Sequence, residues 1–217
     1  MGNTADQPPL DRSRDDAHDD GKNAADRAAV WPAADSLADA CRVAPPHPAV
    51  IDEDALQRAC RMSQLRRSGP GGQHRNKVST AISWSHQPTG ISAEASESRD
   101  QARNRREALQ RLRLRLAIRV RTDSTTGQVA GGSPEEARIR TTWSDRKLKV
   151  SARHADYPAV LALVLDDLHR SGGQPSLVGR MWQASTTAVV SLVAQTPPAM
   201  VEVNRWREHH GRRGLRG

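Results

Sequence analysis

The residues with the clearest chemical capacity lie in one stretch, "RRSGPGGQHRNKVSTA", Arg66 to Ala81. Consecutive glycines, Gly71 and Gly72, permit positive φ or close approach to another molecule, and Pro70 stiffens the chain before them. Arg66, Arg67 and Ser68 precede the tip, and His74, Arg75, Asn76 and Lys77 follow it, so it is collared by donors suited to phosphate. No carboxylate, cysteine or serine–histidine pair stands among them. The chemistry would therefore be positional. Pushed into a narrow RNA-lined cavity, a backbone N–H near Gln73 can stabilise a developing oxyanion while the side-chain amide shapes the space for one attacking water.

A Gly-Gly-Gln tripeptide alone is weak, and the chain supplies its own control. Gly172, Gly173 and Gln174 repeat it in "DDLHRSGGQPSLVGR", where the glycines suit a helix C-cap and Pro175 suits the first turn of the next helix. That copy reads as structural.

The elements that must position the first copy are legible on both sides. "DEDALQRACRMSQLRRS" starts as a short capped helical turn and passes into a strand around Cys60 to Arg66. After the loop, "STAISWSHQPTGISAEAS" gives two extended runs about "QPTG", with Pro88 and Gly90 where a turn wants them, hence a β-hairpin. "ESRDQARNRREALQRLRLRLAIRV" is helical. Its apolar residues Ala102, Ala108, Leu109, Leu112, Leu116 and Val120 recur at three or four residues, and arginines, among them Arg103, Arg106 and Arg113, fill the rest. Too few acids run along this helix to pair them, which favours RNA phosphate contacts over a merely solvated face.

Length and charge set the bounds. The chain has 217 residues, 36% of them hydrophobic, no Phe and one Tyr, enough for a sizeable, mostly aliphatic core. Its net charge is +8, and no apolar run spans a bilayer, so a nucleic-acid partner leads and a membrane does not. Cys41 and Cys60 form no CxxC, which argues against a zinc ribbon or a disulfide framework and for a reducing, cytoplasmic setting. Residues 1–50 carry nine Asp against five Lys or Arg, leaving about +12 for residues 51–217. That first segment reads as a disordered acidic tail ending in the stiff "APPHP", Ala44 to Pro48.

With these residues assembled, "RRSGPGGQHRNKVSTA" followed by "HQPTG" and a basic helix resembles the catalytic GGQ domain of class I peptide chain release factors over about Leu56 to Val120. The resemblance implies a ribosome-dependent hydrolase of the peptidyl-tRNA ester, with Gly71, Gly72 and Gln73 as its catalytic triplet in the peptidyl transferase centre of the large subunit. It implies Gln73 as a substrate for a glutamine methyltransferase, and no metal or cofactor. One departure is Arg75, where the family usually has an aliphatic residue. The residues before the loop are too few for the stop-codon reading domain of codon-specific members. The chain therefore looks like the short, codon-independent relatives that rescue stalled ribosomes. Those relatives often end in a basic tail that occupies the empty mRNA channel, and Arg205, Arg207, Arg212, Arg213 and Arg216 stand in the corresponding place. The reading of a different class is a catalytically idle ribosome- or RNA-binding protein.

The rest is helical in pattern. After a loop at "TDSTTGQVAGGSPEE" and a short extended piece at "RKLKVS", Leu161, Val164, Leu165 and Leu168 make one stripe, and Leu177, Val178 and Met181 a second. Ser185 reads as the N-cap of a third helix carrying Val189, Val190, Leu192 and Val193. The portion resembles a helix-turn-helix whose second helix is poor in base-reading side chains, hence a packing or docking module. Asp166 and Asp167, being adjacent, point apart, and His209 and His210 cannot converge on one metal ion. Trp84, Trp143 and Trp182 read as core or interface anchors.

The expected architecture is thus α+β: a small mixed sheet bearing the GGQ loop and a long basic helix, then an α-helical, helix-turn-helix-like C-terminal module. The expected boundaries are a tail at 1–50, the catalytic domain at 51–122, a linker at 123–153, the helical module at 154–203 and the basic tail at 204–217.

Overall fold

The computed structural model describes residues 41–65, 80–122 and 133–216. Asp52 caps α1 (Glu53–Arg58), its Oδ1 accepting from the Ala55 N–H at 2.7 Å, and the chain turns directly into β2 (Cys60–Leu65). The strand before them is β1 (Cys41–Val43). β3 (Ala81–His86) and β4 (Ser92–Ala95) form the expected hairpin. Gly90 takes φ +68° in its turn, and the Thr89 hydroxyl lies 2.8 Å from His86 Nδ1. β2, β3 and β4 make an antiparallel sheet in that order.

One face of this sheet is covered by α2 (Gln101–Arg119). Ile82, Trp84, Ala93 and Ala95 from the strands meet Ala108, Leu109, Leu112 and Leu116 from the helix in one core, which Leu56 closes. Period-2 burial on the strands and a 3.6-period stripe on the helix are what fit a helix to a sheet. Ala102, assigned to the stripe, is exposed. α2 runs into β5 (Val120–Thr122), which pairs in parallel with β1. The two strand orientations are therefore divided between two small sheets, not mixed within one. The class is α+β as expected.

Residues 41–50, expected within a disordered tail, are built into the fold. Besides β1, they place His47 in the interior, where Nε2 donates to the Val120 carbonyl at 3.2 Å and Nδ1 accepts from the Ala49 N–H at 3.0 Å. Both ring nitrogens are used, and burial, reinforced by Arg121, drives the His47 pKa down to about 3.

Five helices follow: α3 (Pro134–Asp145), α4 (Tyr157–Arg170), α5 (Pro175–Met181), α6 (Thr186–Ala194) and α7 (Pro197–His209). α3 occupies part of the stretch expected as a linker. Ser133 caps it, Pro134 sits in its first turn, and Glu135 and Glu136 complement its N-terminal dipole. The "RKLKVS" stretch is a turn, not an extended piece, because Lys147 and Leu148 take φ +50° and +59°. α4 is buried from Tyr157 to His169, as a helix apolar nearly all round must be, and α3, α5, α6, α7 and the far end of α2 enclose it. Its two aspartates do point apart. Asp166 meets Arg121 and Thr122, while Asp167 takes a two-pronged contact from Arg140 at 2.7 and 3.2 Å and the Trp182 indole N–H at 2.8 Å. All three tryptophans assigned as anchors are buried.

α5 and α6 form the helix-turn-helix-like pair. Gly179 lets them approach, since a Cβ there would stand 2.7 Å from the Ala184 carbonyl oxygen, and the Ser185 hydroxyl accepts from the Ala188 N–H as the N-cap of α6. Among the described residues no helix is long and apolar enough to cross a membrane.

Candidate functional site

Gly71, Gly72 and Gln73, with Arg66, Arg67, Ser68, His74, Arg75, Asn76 and Lys77, lie outside the described residues. What the structure places is the frame on either side of them. β2 ends at Leu65 and β3 begins at Ala81, and these two residues are direct antiparallel partners. The segment 66–80 thus leaves and re-enters the sheet at one end.

The returning strand is fixed by Asn104, a buried residue of α2. Its Nδ2 donates to the carbonyls of Thr80 and Ser98, both at 2.8 Å, and its Oδ1 accepts from the Ser98 N–H at 2.9 Å. One amide side chain therefore ties three elements together: the residue before β3, the chain before α2, and α2 itself. Around it, the Trp84 indole donates to the Arg105 carbonyl at 3.2 Å, and the Arg105 guanidinium lies 5.5 Å from the centre of the Trp84 ring and reaches Gln57 of α1 at 2.7 Å. Asn104 was missed from the sequence. Its signal was position: four residues before Ala108, it stands on the apolar stripe, where an amide needs buried partners.

Beside Asn104 lies a polar hollow lined by Glu97, Ser98, Arg99, Arg103, Glu107 and Arg111. Arg111 is anchored there, bonded to Glu97 at 2.8 Å, to Glu107 at 3.2 Å and to the Glu94 carbonyl at 3.0 Å; the Arg111 bond holds the Glu97 carboxyl at about 2. Arg103 and Arg106 are exposed on the outer face of α2, with no ion pair among the described residues. Arg99, which sequence reasoning passed over, is exposed beside them. Arg113 is placed differently. It is half-buried and donates to the Ile51 carbonyl at 2.6 Å, and burial lowers its pKa. Its guanidinium faces the protein, not the outer face that carries Arg103 and Arg106.

The C-terminal cations are separate from this frame. Arg205 is exposed on α7, 3.9 Å from Glu202. Arg207 reaches the carbonyls of Gly173 and Arg213, and Arg212 that of Gly172 at 2.9 Å. Asn204 brackets Leu215, donating to its carbonyl at 3.1 Å and accepting from its N–H at 2.7 Å. The residues expected as a basic tail thus begin in α7 and fold back on the turn after α4, leaving Arg213 and Arg216 exposed.

Residues 51–154 match the RF-1 domain family. The match takes in both strands that flank the Gly71–Gln73 segment, the Asn104 tie and α3, and it ends just before α4. Among curated proteins, the chain is 36% identical over 97 residues to peptide chain release factor 1 of Acidiphilium cryptum, covering 42% of this chain and 28% of that protein. It is 39% identical over 110 residues to the same factor of Verminephrobacter eiseniae, covering 47% and 31%, and 38% identical over 98 residues to that of Rickettsia prowazekii, covering 42% and 27%. The chain thus spans under a third of the length of these relatives. No solved structure matches it. The helices α4 to α7 stand outside the RF-1 domain match, although α2 and α4 share one core.

Proposed function

We propose that the protein hydrolyses the peptidyl-tRNA ester on the ribosome and releases the nascent peptide without reading a stop codon, most directly in ribosome rescue. The observation that supports this reading is the pairing of Leu65 with Ala81, which brings together the two strand ends that flank Gly71-Gly72-Gln73 in sequence, within the stretch that matches the RF-1 domain and beside the Asn104 tie. Water attacks the ester carbonyl carbon. The bond to the tRNA 3′ oxygen breaks, and the products are a peptide carboxylic acid and a free tRNA hydroxyl. The chain's part is to present the Gln73 N–H to the oxygen on which charge develops and to let the Gln73 amide admit one water; a preorganised donor of this kind is worth about 10²- to 10³-fold in rate. Gly71 and Gly72 allow the approach that a Cβ would obstruct.

Arg66, Arg67, His74, Arg75 and Lys77 would hold the tip against ribosomal RNA, with Arg103 and Arg106 extending the contact along α2. At the C-terminus Arg213 and Arg216 are the exposed cations offered to an empty mRNA channel, since Arg207 and Arg212 are engaged with glycine carbonyls and Arg205 lies beside Glu202. Gln73 is a fitting target for a glutamine methyltransferase. The test is peptide release from ribosomes holding peptidyl-tRNA, on mRNA truncated at the P site and on mRNA bearing a stop codon, for wild type and Gly72→Ala. Release on truncated mRNA that the substitution abolishes supports the reading. Ribosome binding without release by either protein on either template would leave a catalytically idle binder instead.

A further inference from the structure

The turn from Asp145 to Arg153 is strained, rigid and cationic, and none of these properties is needed to carry the Gly71–Gln73 segment. Lys147 and Leu148 both hold left-handed backbone, which disfavours side chains bearing a Cβ. An outlier of this kind persists only where its surroundings over-determine it. Two anchors do so here. Leu148 is 3% exposed and Val150 5%, both drawn into the core around Trp143 and α4. On the other side Gln195, at the C-terminus of α6, accepts from the Ala152 N–H at 2.7 Å and donates to the Val150 carbonyl at 3.1 Å, as a neighbouring strand would. A residue outside the RF-1 match thus holds a segment inside it.

With Leu148 and Val150 turned inward, the side chains between them and around them point to solvent. Arg146, Lys147, Lys149 and Arg153 are all exposed, and none has an ion pair among the described residues. Arg146 is steadied by the Trp143 ring, 5.0 Å from its guanidinium. The nearest acids in sequence are Asp145 and Asp156, and Asp156 accepts from the Trp143 indole at 3.2 Å.

We propose that Arg146, Lys147, Lys149 and Arg153 form an RNA-phosphate docking strap, with Leu148 and Gln195 as its positioning residues. The strap shares its core with Ile118, about 20 Å along α2 from Asn104 at the helical rise of about 1.5 Å per residue. It therefore gives the protein a second hold on RNA, remote from the Asn104 frame. RNA is the favoured partner over a lipid surface because the apolar residues of the strap are buried, leaving nothing to insert between acyl chains. Among the described residues no exposed Trp, Tyr or Phe accompanies the cations, and the one imidazole beside them, His154, packs edge-on against Trp143, so the strap would track the backbone without reading bases. This inference goes beyond the release reading and does not need hydrolysis.

The experiment uses the full chain and a short fluorescein-labelled RNA hairpin, with affinity measured by anisotropy across a salt series. Wild type is compared with a quadruple strap variant (R146Q, K147Q, K149Q, R153Q) and a control of equal charge change at exposed arginines elsewhere (R58Q, R119Q, R138Q, R180Q). The strap variant should lose tenfold or more in affinity and about three units of salt slope, at about 0.7 to 0.9 per phosphate contact, and the control much less. Equal losses in both variants would reduce the strap to bulk charge and overturn the proposal, as would strap-dependent binding to phosphatidylserine vesicles with none to the hairpin. Gln195→Ala should weaken RNA binding with every cation still present; unchanged affinity would remove Gln195 from its positioning role. Wild type that binds the hairpin through the strap yet releases no peptide from ribosomes would sink the release reading and leave the strap standing.

Discussion

Gly-Gly-Gln stands twice in this chain, and the two copies differ in everything around them. Gly172 and Gly173 end α4 with φ +60° and +73°, their N–H groups bonded to the carbonyls of His169 and Leu168 at 3.1 and 2.6 Å. Their own carbonyls accept from Arg212 and Arg207, and the Gln174 amide donates to the Ser171 carbonyl at 3.2 Å. The helix cap uses the backbone groups that a substrate would need. Gly71, Gly72 and Gln73 instead stand between two paired strand ends, with seven phosphate-suited donor residues beside them in sequence and none of those helix-capping duties implied by their flanks. A tripeptide of this kind has no fixed meaning. What it can do depends on whether its neighbours occupy its donors or deliver them elsewhere.

The sharpest way to break that comparison is to make the same substitution twice. Gly72→Ala should lower peptide release by about 10²-fold or more while leaving the melting temperature near wild type. Gly173→Ala should do the reverse. A Cβ there would run into the Arg207 side chain, and left-handed backbone costs a residue with a Cβ roughly 1–2 kcal/mol, a fall of several degrees for a chain of this size. Release per folded molecule should be unchanged. Release assays and thermal melts on both variants decide it, and loss of release by Gly173→Ala at full stability would erase the distinction.

Much of this contrast was legible in advance. The capped α1, β2, the β3–β4 hairpin and α2 all follow from turn residues at fixed places and from clean periods of 2 and 3.6, and the second Gly-Gly-Gln was readable as a cap from Pro175. What escaped was non-local or contradictory. β1 and β5 are three residues each and pair across a long separation in sequence, so neither carries a pattern of its own. α3 hid among turn-forming residues, although Ser133, Pro134 and Glu136 spell a helix start. "RKLKVS" alternates as a strand does, and its burial alternates with it: the lysines lie outside, Leu148 and Val150 inside. The backbone is a turn and not the expected extended piece, made left-handed at Lys147 and Leu148 by tertiary anchors that no local pattern records. The inward direction of Arg113 is likewise a matter of what packs over it.

Asn104 allows a second cut, between the proposed catalytic segment and its support. Asn104→Leu would leave the Thr80 and Ser98 carbonyls and the Ser98 N–H without their partner, at a cost of about 1–3 kcal/mol for each buried group left unsatisfied. The protein should lose several degrees of stability, and release should fall further than the folded fraction does, with Gln73 intact. Equal falls in both would make Asn104 a stabiliser of the fold alone.

Acid should act at the other end of α2. His47 and His169 are held neutral, with pKa values driven to about 3 and about 4 by burial and by Arg121, against an ordinary 6.5. Their contribution is present above pH 6.5 and is lost as pH falls toward the folded values. Asp166, pushed up by burial from 3.8 to about 6, works in the opposite sense, losing stability as pH rises through that window. At about 1.4 kcal/mol per group per pH unit, the net loss between pH 6.5 and 5 is roughly 2–3 kcal/mol. Urea titrations across that range should show it, and His47→Gln should flatten the curve.

The smallest effect bears on the tail. Arg212→Ala removes one guanidinium from the Gly172 carbonyl and should cost about 1 kcal/mol, a fall of a few degrees, because the Asn204–Leu215 bracket and Arg207 still hold the chain back. If the C-terminal residues act as the structure places them, docked on the turn after α4, release on truncated mRNA should change less than twofold per folded molecule. If they must leave that turn to enter an empty mRNA channel, loosening Arg212 makes departure easier, and release on truncated mRNA should rise while release on mRNA with a stop codon stays put. The same assay that tests the first copy of Gly-Gly-Gln therefore also reads whether the second copy serves as the tail's latch.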